Sequence, residues 1–129
     1  MDFGLMNEQE FKHRTKKIAL RVIRLVETLP KNQTADVIGK QLLRSATSVG
    51  ANYRAACRGK STADVIAKLS IVEEEADESL YWMELLIDSN LVPANKLTNL
   101  MAEIDEIVAM IVASIKTLRS NTMNPKSKI

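Results

Sequence analysis

The chain has a single cysteine, Cys57, so it can form no internal disulfide. It also has a single histidine, His13, which leaves little for a zinc site or an imidazole-based triad. Three prolines, four glycines and 4% aromatic residues provide too little punctuation for a turn-rich all-β fold. No apolar run approaches the ~20 residues needed to cross a bilayer. The longest uncharged apolar run is 107–115. The N-terminus shows no basic-then-apolar run ending in small residues. Without such a secretory signal, a cytoplasmic protein with no membrane partner is predicted. At 129 residues the chain suits one domain with one core, which excludes a multidomain enzyme.

What is present is helix-forming sequence with an uneven charge distribution. Residues 1–60 carry twelve basic and five acidic side chains, whereas 61–129 carry six and eleven, so a net charge of only +2 conceals two oppositely charged halves. Such a chain can present a basic surface to a polyanion or pair its own halves in a fold or oligomer.

Four apolar seams follow the helical period. Phe11, Thr15, Ile18, Val22, Leu25 and Leu29 recur at spacings of 4, 3, 4, 3 and 4, ended by Pro30, with Asn7 and Glu10 as an Asn-type capping box. The second face is Ile38, Leu42, Ala46, Val49, Tyr53 and Ala56. Gly39 and Gly50 weaken that helix in isolation, which predicts close approach of a neighbour at both. Gly59 suits the positive-φ position past its end. Ser61 and Asp64 form a capping box for a third helix with the seam Val65, Leu69, Val72, Ala76, Leu80, Met83 and Ile87. Pro93 fits the first turn of a fourth. There Leu97, Leu100, Ile104, Ile107, Ile111, Ser114 and Leu118 repeat at 3, 4, 3, 4, 3 and 4.

These patterns predict an all-α protein: an antiparallel up-down-up-down four-helix bundle forming one domain over 1–121. Its helices fall near 8–29, 35–57, 62–89 and 93–120, followed by a frayed tail at 122–129. Leu20 and Ile23 lie off the first seam, and the fourth helix is apolar nearly all round between Ile107 and Ala113. A monomeric bundle needs one apolar stripe per helix, so this surplus predicts a homo-oligomer.

Three residue sets could carry function. Arg14, Lys17, Arg21 and Arg24 repeat at 3, 4 and 3, with Lys12 and Lys16 nearby, and form a basic stripe suited to phosphates of RNA or DNA. The alternatives are a solvated face or pairing with the acidic third helix across an interface. Gln41, Ser45, Ser48 and Asn52 repeat at 4, 3 and 4 with Arg44 alongside. They predict an interior polar network fixing register, with Glu74 as the partner of Arg44. Glu73, Glu74, Glu75, Asp77, Glu78 and Glu84, with Glu10 and His13 in Glu-x-x-His spacing, raise a carboxylate metal centre. One such motif is not two, and the fourth helix adds only Glu103, Asp105 and Glu106. Tyr81, Trp82, Met83 and Met110 read as packing, and Cys57 as a small apolar filler. No Gly-rich phosphate loop is present, and no cofactor is expected.

Gln41-Leu-Leu-Arg-Ser-Ala-Thr-Ser-Val-Gly-Ala-Asn52, followed by Arg58-Gly-Lys-Ser61 and a long third helix, resembles the 23S rRNA intervening-sequence proteins. The likeness spans Phe11 to Leu118 and includes Leu29-Pro30, while the segment from Glu73 to Trp82 resembles one branch of the family. The resemblance implies an antiparallel four-helix bundle assembled as a homopentamer, bacterial in origin and sometimes encoded within ribosomal RNA genes. It implies no established activity. A related member, the accessory variability determinant of diversity-generating retroelements, binds nucleic acid and a reverse transcriptase through basic surfaces. The resulting expectation is a non-enzymatic scaffold or adaptor that engages RNA, DNA or a nucleic-acid enzyme. A purely structural oligomer with one specific protein partner is the second reading, and a carboxylate-bridged metal enzyme the remote one.

Overall fold

A computed structural model describes residues 7–123. Among them are four α-helices, α1 (Glu8–Glu27), α2 (Gln33–Ala56), α3 (Thr62–Asp88) and α4 (Thr98–Met123), one 3-10 turn (Ala94–Lys96), and no strand. The end of the predicted tail, 124–129, lies outside the described residues, and α4 continues through 122–123.

The helix ends are set by side chains that satisfy orphan backbone groups. Asn7 accepts the Glu10 N–H at 2.7 Å, and Asn32 accepts the Ala35 N–H at 2.9 Å. Because Asn32 serves as a cap, α2 starts earlier than its apolar face suggests. Ser61 accepts the Asp64 N–H, while Asp64 reaches back one residue past the cap to the Lys60 N–H, both at 3.1 Å. Two further helix boundaries differ from expectation. α1 stops at Glu27, where the Thr28 hydroxyl donates to Leu25 O at 2.8 Å, and Leu29 packs from outside the helix. Pro93 is extended (ψ 142°) and precedes the 3-10 turn; an α ladder begins only where the Met101 N–H reaches Leu97 O at 2.8 Å. The left-handed residue is Asn90 (φ 62°), which closes α3 as the Leu91 N–H returns to Leu86 O at 3.0 Å. Gly59 does not take the positive φ expected of it. It is required for space, since a Cβ there would run into Val65 and stand 3.1 Å from Ala56 O.

Consecutive helices pack along their length, and α1 meets α4 along a shorter seam. The whole predicted face of α2 is buried, as is the α4 seam from Leu97 to Ser114. In α3 the buried seam keeps alternating spacings of 4 and 3 through Ala76, Ser79, Met83 and Leu86, so Leu86 rather than Ile87 is fully buried. Both helical glycines sit at close approaches. Gly39 leaves room for Leu29, whose Cδ1 would be 3.0 Å from an added Cβ, and Gly50 for Thr15, whose Oγ1 would be 3.2 Å away. Late α2 therefore lies beside early α1, and early α2 beside its end. Across the next seam Ser45 meets Ser79.

Candidate nucleic-acid interface

The basic residues of α1 share a helix but not an environment. Arg14 turns towards α4: its Nε and Nη2 donate to the two Glu103 oxygens at 2.8 and 2.7 Å, Glu106 lies 3.1 Å from Nη2, and Nη1 approaches Met110 Sδ at 3.5 Å. The bidentate bond to Glu103 raises the Arg14 pKa. Arg14 in turn holds the Glu103 carboxyl below the ordinary carboxylate value, against burial and with help from Arg21 and Lys17. Arg14 is thus an α1–α4 clasp, not an open phosphate contact. Lys12 pairs with Glu8 one turn away at 2.8 Å. Among the described residues Lys16, Lys17, Arg21 and Arg24 make no ion pair.

The clasp has a pH signature. A carboxyl whose pKa is depressed by folding contributes stability that is present above its ordinary pKa and is lost as pH falls through the folded value. Glu103→Gln is expected to cost about 1 kcal/mol at pH 7, because a charge-assisted pair at this partial exposure is discounted by solvent. It should also flatten the fall in melting temperature below pH 4.5. Thermal melts of both proteins between pH 7 and 3 check this, and equal curves would deny the clasp any role.

Arg54, a residue the stripe argument missed, joins the basic face from α2. It lines a groove with Gln9, Lys12, His13, Lys16 and Thr47, floored by Thr15, Gly50 and Ala51. Gly50 opposite Thr15 sets the register, and one turn further along α2 Arg54 comes level with Lys12. A helix pairing, not a spacing within one helix, assembles this groove.

The polar stripe of α2 divides in two. Ser45 and Ser79 are fully buried, their Oγ atoms 2.9 Å apart, and each can also donate to a carbonyl of its own helix. Ser48 and the Asn52 amide bond to Arg44 O and Ser48 O at 2.7 and 2.8 Å, within α2. Arg44 lies at the surface, near the Gln41 amide oxygen at 3.3 Å. Its partners are Glu75, at 3.2 Å from both oxygens, and Glu78, which also accepts the Trp82 indole N–H at 3.0 Å. Glu74 is not the partner. Residues 75 and 78 share the edge of α3 that faces α2, and 74 lies about 100° round the helix from 75, exposed.

Among the described residues no three His, Cys, Asp or Glu side chains come together to hold a metal ion. Burial pushes the Cys57 thiol pKa up despite a hydrogen bond with Tyr53, so little reactive thiolate forms at neutral pH. No helix among the described residues is long and apolar enough to cross a membrane.

The family model for 23S rRNA-intervening sequence proteins matches residues 7–113. The fold is similar to the crystal structure of a Bacteroides thetaiotaomicron protein of unknown function from the S23 ribosomal protein family. That likeness has a TM-score of 0.77 and 37% identity, over 82% of this chain and 98% of the other. No curated protein matches the chain. With the family model spanning most of its length and a solved relative from the S23 ribosomal protein family 37% identical over 82% of it, the chain belongs to the 23S rRNA-intervening sequence protein family.

Proposed function

We propose that the protein is a cytoplasmic, non-enzymatic homo-oligomeric scaffold, an up-down-up-down bundle, whose basic face across α1 and α2 engages the phosphate backbone of RNA or DNA. The carrying observation is the groove between these helices, where Lys16 and Arg54 converge with no carboxylate partner among the described residues. Among the described residues no Phe, Tyr or Trp lines it to stack on a base, so the chemistry favours backbone charge over sequence. The bundle topology is supported by the Gly50–Thr15 and Ser45–Ser79 approaches. Assembly is supported by the exposed apolar side chains Leu20, Ile23, Val37 and Val112.

Anisotropy of labelled RNA and DNA over a salt series tests the reading. Affinity should fall linearly in log–log salt, with a slope of about −0.7 to −0.9 per phosphate contact. Lys16→Glu with Arg54→Glu should make that slope shallower and weaken binding roughly tenfold or more at low salt, a loss of the order expected for two reversed phosphate contacts. Binding that is absent at low salt, indifferent to salt, or unchanged by the double reversal overturns the proposal.

A further inference from the structure

The outer faces of α1 and α3 are matched in pattern and opposite in charge. On α1, His13, Lys17, Leu20 and Arg24 recur at 4, 3 and 4, one exposed helical face with an apolar residue between the cations Lys17 and Arg24. On α3, Glu74, Asp77, Tyr81 and Glu84 recur at 3, 4 and 3, again one exposed face with an apolar residue among charges of the other sign. Leu20 is 42% and Tyr81 53% exposed, high for side chains of this size. Among the described residues Lys17, Arg24, Glu74, Asp77 and Glu84 form no ion pair, although Arg14 and Arg44, at the seams between helices, are both paired within the chain.

We infer that the basic outer face of α1 docks on the acidic outer face of α3 in a second copy of this chain. The inference rests on the homo-oligomer reading above and names the surface that makes the oligomer. The two stripes cannot meet within one molecule. α1 and α3 share no extended seam, each packing instead against α2 and α4, so they stand diagonally and their outer faces look away from each other. Ridges of matching period seat in one another's grooves, which places Leu20 and Tyr81 out of water and the cations beside the carboxylates. Because the two faces differ, the contact is heterologous. Each copy offers one face of each kind, and the assembly grows head to tail until the rotation closes a ring.

The test is mass in solution by sedimentation velocity or light scattering. The wild type is compared with Lys17→Glu/Arg24→Glu, with Asp77→Lys/Glu84→Lys, with an equimolar mixture of the two, and with a chain carrying all four reversals. Circular dichroism of each confirms that the exposed substitutions leave helicity intact. Each pair alone should fall to the 14.4 kDa monomer. The mixture and the four-fold variant should both regain assemblies, since each restores one acidic face for every basic one. A monomeric wild type at tens of micromolar overturns the homo-oligomer reading and this interface with it. A wild-type oligomer whose paired variants keep full mass, or whose mixture and four-fold variant stay monomeric, overturns the interface alone.

Discussion

Replacing Tyr53 by alanine is expected to lower the melting temperature by roughly 10–25 °C, the largest effect of any single substitution considered. The ring is 1% exposed and stands edge-on to Phe11, with centroids 4.5 Å apart and planes at 83°. It bridges the end of α2 and the start of α1. Truncating a buried aromatic to alanine costs about 3–5 kcal/mol, combining lost transfer energy with an unfilled cavity. For a domain of this size each kcal/mol shifts the midpoint by about 3–5 °C. Tyr53→Phe keeps the ring and loses the hydroxyl that bonds the Cys57 thiol, so it should cost under about 1.5 kcal/mol. Thermal unfolding followed by circular dichroism measures both. A Tyr53→Ala protein melting within 5 °C of wild type would mean that the α1–α2 end is not packed as described.

The second large effect belongs to Gly59, and its force lies in the ranking of three glycines. Gly59→Ala should destabilise by about 1–3 kcal/mol, because its Cβ would strike Val65, which is itself buried, with backbone atoms of Ala56 and Val65 closing the other sides. No helix propensity is regained there, since Gly59 lies between α2 and α3. Gly39→Ala gains about 1 kcal/mol of helix propensity against a contact with the movable Leu29 side-chain end, and should be close to neutral. Gly50→Ala falls between them. Thr15 is held in place by its own bonds to Phe11 O and Lys12 O, at 3.0 and 3.2 Å, and cannot swing away. Denaturant titration of the three variants gives the order directly. If Gly39→Ala proved the worst, the α1–α2 end would be tighter than the α2–α3 connection and the ranking would fail.

The number and faces of the helices were legible because amphipathic periodicity is a local signal, and at Ile38, Leu42, Ala46, Val49, Tyr53 and Ala56 it matches burial residue for residue. What stayed hidden depended on neighbours. A spacing of 3, 4 and 3 puts Arg14 on the same stripe as Lys17, but its carboxylate partner lies 89 residues away. Arg44 was assigned the wrong glutamate because the rotation of α3 against α2 cannot be read from either helix alone. Arg54 entered the basic groove only through the register of α1 on α2. Pro93 misled for a different reason: its fixed φ suits the first turn of an α-helix and equally the extended residue that precedes a 3-10 turn, as it does here.

The order of packing has a consequence for how the chain is made. α2 rests on α1, α3 on α2 and α4 on α3, and only the short α1–α4 seam joins elements distant in sequence. Most of the loop-closure cost is therefore met between consecutive helices, the low-contact-order regime in which folding is fast. As the nascent chain leaves the ribosome, each helix emerges beside a partner already formed. Fastening Arg14 to Glu103 waits until the first part of α4 has emerged.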